Sequence, residues 1–133
     1  MKPEWRWIDK RALLMLHDES LAEHGGAGGL RDEGLLDSAQ ARPLNLAVYG
    51  APDAADHAAA YAHGLAKNHP FVDGNKRAAF LAAGLFLAIN GLHLRVSQAE
   101  ATVAMFTLAA GELDEAGFAA WLRLHSGVRD PSR

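Results

Sequence analysis

The feature that most limits the fold of this chain is its small number of β-branched residues. Valine, isoleucine and threonine together supply only nine of the 133 residues, whereas alanine and leucine together supply 46. β-Branched residues favour strands, while alanine and leucine are strong helix formers. The composition therefore predicts an all-α fold. The length suits one domain with one buried core, and we expect residues 1–133 to form that single domain.

Charge and cysteine content exclude several classes of protein. The net charge is −3 with histidine neutral, so the chain has no overall attraction to nucleic acid. The absence of cysteine excludes disulfide scaffolds, thiol catalysis and zinc sites built on cysteine. The start, MKPEWRWIDKR, carries charges where a signal peptide is apolar, and no apolar run reaches the ~18 residues of a membrane span. We expect a cytoplasmic protein that binds neither membranes nor nucleic acid.

Six segments have the patterning of helices, and five of them follow a residue that typically caps a helix. The predicted helices cover about residues 10–24, 33–42, 54–68, 75–90, 98–110 and 115–125, and the capping residues are Asp9, Asp32, Asp53, Ser97 and Asp114. Pro43 is expected just beyond the end of the second helix. Residues 43–52 have the one hint of extended chain, from Leu46 to Tyr49, and we interpret them as a loop or small flap.

The pattern of apolar residues predicts how the helices pack. The fourth helix is apolar nearly all round after its first turn, which is typical of a helix at the centre of a bundle. Trp5 and Trp7 are expected to hold the start of the first helix against the core. The alternative is that they are exposed and form an apolar surface that binds a partner. The residues expected to face inward on the last two helices are Val103, Phe106 and Ala110, then Phe118, Trp121, Leu122 and His125.

One segment, HPFVDGNKR at residues 69–77, has the residue types of a reactive site. It joins the third helix to the fourth, where free backbone N–H groups and the helix dipole favour an anion. Lys76 and Arg77 stand in the first turn, and each cation there opposes the dipole by perhaps ~0.3–1 kcal/mol. Gly74 lets the backbone approach a ligand closely. The pattern indicates a site for an anion such as a polyphosphate; the alternative is a solvated Lys-Arg pair that tolerates the cost.

Two further residues of this segment carry chemistry of their own. A neutral His69 can take a proton from a hydroxyl, and Asp73 is a hard oxygen ligand of the kind that Mg²⁺ prefers. The simpler alternatives are a helix-end histidine and a helix-capping aspartate. His57, His63 and His69 recur every six residues, which does not match the spacing of a zinc protease. His17 and His24 are expected at the surface.

The motif HPFVDGNKR resembles the signature of the Fic/Doc family, and in particular its Doc (death-on-curing) branch. The general Fic pattern reads H-P-F-x-[DE]-G-N-G-R, and Doc-like proteins have lysine where Fic proteins have the second glycine, as at Lys76. Residues 29–43, GLRDEGLLDSAQARP, and residues 86–94, FLAINGLHL, also resemble Doc proteins. The resemblance implies a compact six-helix bundle with a buried central helix.

The resemblance also implies an activity. Doc proteins are toxins of toxin–antitoxin pairs, and their best-known reaction transfers the γ-phosphate of ATP to a threonine of a translation elongation factor. His69 would be the general base, Asp73 would hold Mg²⁺, and Phe71 would hold the loop in place. A flap that aligns the target would correspond to residues 43–52. The partner would be a cognate antitoxin whose C-terminal segment folds onto an open hydrophobic groove.

The remaining residues of the motif would bind ATP. By the family pattern, Gly74 and Asn75 would shape the anion hole, while Lys76 and Arg77 would bind the phosphates and take part in catalysis. Lys67 would add a further positive charge to the nucleotide site. Two other functions stay open: a Fic-type protein AMP transferase, which Lys76 disfavours by filling space, and a non-catalytic helical module that acts only by binding.

Overall fold

The computed structural model describes residues 4–48 and 50–128, and it has the all-α architecture expected. Six helices are accompanied by two three-residue strands, β1 and β2, which pair antiparallel with His93 opposite Gly127. The elements are α1 Lys10–His24, α2 Glu33–Leu46, α3 Ala54–Asn68, α4 Asn75–Ile89, β1 Leu92–Leu94, α5 Gln98–Ala109, α6 Glu115–His125 and β2 Ser126–Val128. Among the helices within the described residues, none has both the length and the apolar character needed to cross a bilayer.

The helix starts follow the local capping chemistry of the sequence. The five expected residues each accept a backbone hydrogen bond from the first turn of their helix: Asp9, Asp32, Asp53, Ser97 and Asp114. Ser97 and Glu100 form the predicted capping box, and Asp53 forms a second one with Asp56. Local sequence therefore decides where these five helices begin.

The buried central helix is α3, which is more completely buried than α4. Eleven of the fifteen residues of α3 are buried, against seven of fifteen in α4, where Leu81 is 39% exposed. α3 packs between α2, α4 and α6. Its small residues allow close approach, since a Cβ at Gly64 would lie 3.0 Å from the backbone of Ala39. The all-round apolar pattern favoured α4 for the centre of the bundle, but α3, which is rich in alanine, is the more buried helix.

The second helix does not stop before Pro43, as expected, but continues through it to Leu46. Proline cannot donate a backbone hydrogen bond, so it usually disrupts a helix. Here Pro43 lies in the last turns and is buried, and its carbonyl accepts a hydrogen bond from His57 Nδ1 at 2.9 Å. The expectation of extended chain from Leu46 is wrong, because α2 ends there and residues 47–48 form a turn. Tyr49 lies outside the described residues.

The inward face of α5 also differs from the prediction. Val103 and Phe106 are 63% and 57% exposed, and Ala110 is exposed as well. The buried residues of α5 are Ala101, Ala104 and Leu108. α5 is apolar on several sides, so its periodicity does not select one face, and the face with small residues packs closest to the bundle.

The predicted inward face of α6 is confirmed at Phe118 and Leu122, while Trp121 and His125 are partly buried. Phe118 and Leu122 of α6 are buried, and Trp121 stacks on Phe118. Trp5 and Trp7 are half-buried and lie against His57, with ring centres 5.2 and 5.0 Å away. The segment before α1 is thereby joined to the aromatic part of the core.

Candidate active site

The loop between α3 and α4 has left-handed backbone at both ends. His69 follows α3 with φ 49° and ψ 56°, and Gly74 precedes α4 with φ 78°. Glycine adopts such a conformation freely, whereas a non-glycine residue there is uncommon and slightly strained. Pro70 disfavours helical geometry at His69, which explains why α3 ends at this point. His69 therefore lies at the junction of α3 and the loop, where it lines a cavity.

Asn75 closes the loop through both ends of its side-chain amide. Its Oδ1 accepts from the Phe71 N–H at 3.0 Å, and its Nδ2 donates to the Phe71 carbonyl at 2.9 Å. Asn75 is 8% exposed and Phe71 is 2% exposed. Both polar atoms of the Asn75 side chain are thus hydrogen-bonded to the loop backbone, and they hold the loop in its shape. Its backbone N–H remains at the start of α4.

The segment between α1 and α2 is hydrogen-bonded along the same loop. Val72 N–H donates to the Gly29 carbonyl at 3.1 Å, and the Arg31 N–H donates to the Pro70 carbonyl at 2.7 Å. The Arg31 guanidinium donates to the carbonyls of His69 and Asn68 at 2.6 and 2.8 Å. Arg31 therefore caps the end of α3. Sequence reasoning missed this residue, although the four glycines before it are a signal of close backbone approach.

The Asp73 carboxylate is held by backbone N–H groups. Its Oδ1 accepts from Gly74 N–H at 2.8 Å, and its Oδ2 accepts from Ala27 N–H at 3.3 Å. A Cβ at Gly26 would lie 2.8 Å from the same Oδ2, so only glycine fits there. These contacts fix the carboxylate at the entrance of α4.

The expectation that His17 is a surface residue is wrong. His17 is 2% exposed, its Nε2 lies 2.7 Å from the Asp73 carbonyl oxygen, and its ring stacks on Phe71. The signal that could have found it is its position four residues after the buried Leu13, on the same face of α1. His24 is exposed, as expected.

The site residues surround a cavity of about 580 Å³. Its lining includes six of the seven predicted site residues: His69, Asp73, Gly74, Asn75, Lys76 and Arg77. α4 differs from the other five described helices because no side chain caps its start. Like α1, it has no acidic residue in its first turn. The first N–H groups of α4 and two cations therefore face the same cavity, an arrangement that suits an anion.

Comparison with known proteins agrees with this geometry. Residues 7–87, more than half of the chain, match the family model described as Fic/DOC family. The chain belongs to the Fic/DOC family. The matched range includes the loop and the first turns of α4.

Two curated proteins are similar to this Fic/DOC chain. The protein named Toxin Doc from Mycolicibacterium smegmatis is 53% identical over 73 residues, which are 53% of this chain and 55% of that protein. Protein kinase doc from Escherichia phage P1 is 33% identical over 90 residues, which are 67% of this chain and 71% of that protein. The match thus spans about half the length of the first relative.

The one predicted site residue that the structure places elsewhere is Lys67. It does not line the cavity of about 580 Å³ that holds the other site residues. It lines a separate cavity of about 350 Å³ between α2 and α3, together with Arg42 and His63. Successive helix residues are rotated by about 100°, so a residue two positions before His69 faces another side. Burial lowers the pKa of His63, and the charges of Arg42 and Lys67 lower that pKa further.

The residues present fit a magnesium ion that binds together with a nucleotide. Mg²⁺ is usually bound through one or two carboxylates plus substrate phosphates and water. Asp73 offers one carboxylate, oriented by Gly74 and Ala27, in a cavity that also holds Lys76 and Arg77. Within the part of the chain that the structure describes, no group of three or more His, Asp or Glu side chains converges on one point. This donor set suits a shared metal, not a cage made by the protein alone.

Proposed function

We propose that this Fic/DOC protein is a Doc-type toxin that transfers the γ-phosphate of ATP to a hydroxyl of a protein target. The observation that carries the proposal is the uncapped start of α4, where Lys76 and Arg77 share a cavity with His69 and Asp73. The names of the two relatives, Toxin Doc and Protein kinase doc, support the same function. The target proposed from the family resemblance is a translation elongation factor, whose modification would arrest growth and place the action in the cytoplasm.

The start of α4 would bind the phosphates of ATP. Two cations in its first turn are unfavourable by about 0.3–1 kcal/mol each when no anion is present. A polyphosphate reverses this balance, because it accepts hydrogen bonds from the free backbone N–H groups and pairs with Lys76 and Arg77. Gly74 lacks a side chain that would obstruct the phosphates, and the Asn75 side chain holds the loop in shape from within.

His69 would act as the general base. It lines the cavity, and its side chain forms no hydrogen bond with the described residues. As the target oxygen bonds to the γ-phosphorus, His69 takes the hydroxyl proton, and the bond from that phosphorus to the β–γ bridging oxygen breaks so that ADP leaves. Arg77 and Lys76 stabilise the charge on the transferred group. Asp73 would hold Mg²⁺, which when bound neutralises phosphate charge.

An antitoxin partner would occupy the apolar cavity next to this site. That cavity, of about 560 Å³, lies between α4 and α5 and is lined in part by Phe80, Leu81 and Phe106. It shares Lys76 and Arg77 with the cavity at the start of α4, where we place the phosphates of ATP. The proposal follows from the family resemblance, which implies an open hydrophobic groove for the antitoxin's C-terminal segment. A peptide held there would lie beside the two cations that we assign to ATP.

The deciding experiment follows the label from ATP to the target. The protein is incubated with Mg²⁺, a purified elongation factor, and ATP labelled at either the γ- or the α-phosphate, and the adduct is identified by mass spectrometry. We expect a phosphate adduct labelled only from the γ-position. Arg77→Ala should abolish it and weaken ATP binding, whereas Arg11→Ala, an exposed arginine on α1, should not.

Each other result supports a different function. An AMP adduct labelled from the α-position would replace the kinase with a Fic-type AMP transferase. ATP binding that is unchanged by Arg77→Ala would exclude the phosphate site at α4. No adduct and no ATP binding with Mg²⁺ present would leave a non-catalytic binding module.

A further inference from the structure

His17 is the residue of α1 that contacts the motif loop directly. It lies 56 positions before Asp73 in the chain, yet its Nε2 is 2.7 Å from the Asp73 carbonyl oxygen. A carbonyl can only accept a hydrogen bond, so the geometry requires that Nε2 carries the hydrogen. With 2% exposure, this side chain has been withdrawn from water to make that one contact with the backbone.

The His17 ring also touches the loop on either side of Asp73. It stacks on Phe71 with ring centres 3.7 Å apart and planes 6° from parallel. A Cβ at Gly74 would lie 3.5 Å from His17 Nε2, so the backbone passes close to the ring there too. Phe71 is itself tied to Asn75 through its backbone. His17 thus contacts the loop at Phe71 and Asp73 and lies near the backbone of Gly74.

The contact with Asp73 controls the direction of a single peptide group. In a planar trans peptide, the carbonyl of Asp73 and the N–H of Gly74 point in opposite directions. The carbonyl is bonded to His17, and the N–H on the other side donates to Asp73 Oδ1 at 2.8 Å. Gly74 can adopt many backbone conformations and cannot fix this direction by itself. The carbonyl thus faces His17 while the N–H of the same peptide lies on the side of the carboxylate.

We infer that His17 is a positioning residue that holds the Asp73–Gly74 peptide and, through it, the Asp73 carboxylate. The consequence for Mg²⁺ rests on the proposed function, since it assigns the metal to Asp73. The structural part does not, because it concerns only the direction of a peptide group in the free protein. His17 touches neither ATP nor the target in this scheme and acts only through Asp73.

Two substitutions separate the hydrogen bond from the ring. His17→Phe keeps an aromatic ring to stack on Phe71 and removes the donor. His17→Gln keeps an N–H donor at a similar distance from the backbone and removes the ring. Glu19→Gln, an exposed change on the same helix, serves as the control.

The first measurement needs no ligand. Hydrogen exchange of the Gly74 amide, followed by NMR, reports whether its N–H is still bonded to the Asp73 carboxylate. We expect His17→Phe to speed this exchange by about tenfold, the effect of losing one hydrogen bond of typical net strength. His17→Gln and Glu19→Gln should stay near the wild-type rate. Unchanged Gly74 exchange in His17→Phe would overturn the inference.

The second measurement is the Mg²⁺ concentration needed for half-maximal ATP binding, determined by calorimetry. His17→Phe should raise it by about tenfold while ATP binding without Mg²⁺ stays as in the wild type. His17→Gln should restore the wild-type dependence even though it lacks the ring. A core residue without a positioning role would instead lower the unfolding temperature in both variants and leave both Gly74 exchange and the Mg²⁺ titration unchanged.

The two claims fail in different ways. If the wild-type protein shows no Mg²⁺-dependent ATP binding, the proposed function is wrong, and Gly74 exchange still decides the role of His17. If His17→Phe does not fold, His17→Gln decides alone. Wild-type exchange in His17→Gln supports the hydrogen bond as the essential contact, and fast exchange in a folded His17→Gln variant contradicts it.

Discussion

The Lys76 ammonium lies 4.8 Å from the centre of the Phe106 ring. A cation over an exposed aromatic face gains about 0.5–1 kcal/mol, which is enough to favour one direction for a flexible side chain. Phe106 was expected in the core, but it is 57% exposed on α5. The contact places Lys76 at the boundary between the cavity at the start of α4 and the apolar cavity between α4 and α5, both of which it lines.

Lys76→Gly tests whether this lysine selects the phosphate that is transferred. The lysine fills space and adds positive charge where Fic proteins have glycine, and we expect that this keeps the γ-phosphate beside His69. Removing the side chain should permit the reversed orientation of ATP, so that some AMP appears on the target. Lys67→Gly is the matched control, because Lys67 lines the separate cavity between α2 and α3 and not the cavity at the start of α4. The adducts are compared by mass spectrometry, and a glycine variant that only loses activity would leave Lys76 without a selecting role.

His69→Ala should remove the general base without removing the phosphate contacts. General bases typically contribute a factor of about 10²–10⁴ to rate, so transfer and growth arrest should fall by that factor while ATP still binds. The contact of Arg31 is with the His69 carbonyl, which alanine retains. Alanine tolerates the left-handed backbone poorly, so His69→Asn, which tolerates it better, provides the control for folding. A toxic and active His69→Asn variant would exclude a proton-accepting role for the imidazole.

Asn75→Ala should destabilise the fold as well as the site. It leaves the N–H and the carbonyl of buried Phe71 without their partners, and each such loss costs about 1–3 kcal/mol. We expect the free energy of unfolding in urea to fall by about 2–4 kcal/mol. Asn45→Ala, at an exposed position of α2, should change it by less than about 0.5 kcal/mol. Equal stability of the two variants would mean that the Asn75 amide does not hold the loop.

The features that the sequence predicted are those determined by neighbouring residues. Helix starts depend on a capping side chain and the three residues after it, and Asp9 and Ser97 were recognised on that basis. The motif at residues 69–77 is equally local, so its residue types could be recognised before the fold was known. Its position at the start of α4 followed from the same segment.

The features that were missed depend on contacts between distant parts of the chain. His17 and Arg31 precede the motif loop by tens of residues and look like ordinary polar residues in the sequence, yet both are bonded to its backbone. The exposure of Phe106 depends on how α5 packs, and the carbonyl of Pro43, through which α2 continues, is bonded to His57 of α3. Such contacts have no periodic pattern, so only the folded arrangement reveals them.

The ion pair of Arg123 with Asp53 predicts a pH-dependent part of stability. The hydrogen bond from Arg123 is the main reason why the pKa of Asp53 is lowered from 3.8 to about 2. Because the folded pKa lies below the unfolded one, this stabilisation is fully present above pH 3.8 and is lost as the pH falls towards about 2. Both side chains are about half exposed, so water screens the pair, and we expect it to contribute less than about 1 kcal/mol to the free energy of unfolding.

Arg123→Gln should therefore be less stable than the wild type in urea at neutral pH, and the difference should shrink between pH 3.8 and about 2. Arg11→Gln, which removes an exposed arginine of α1, should show no such convergence. A difference between Arg123→Gln and the wild type that stays constant through this range would show that Arg123 stabilises the protein by packing and not through the Asp53 carboxylate.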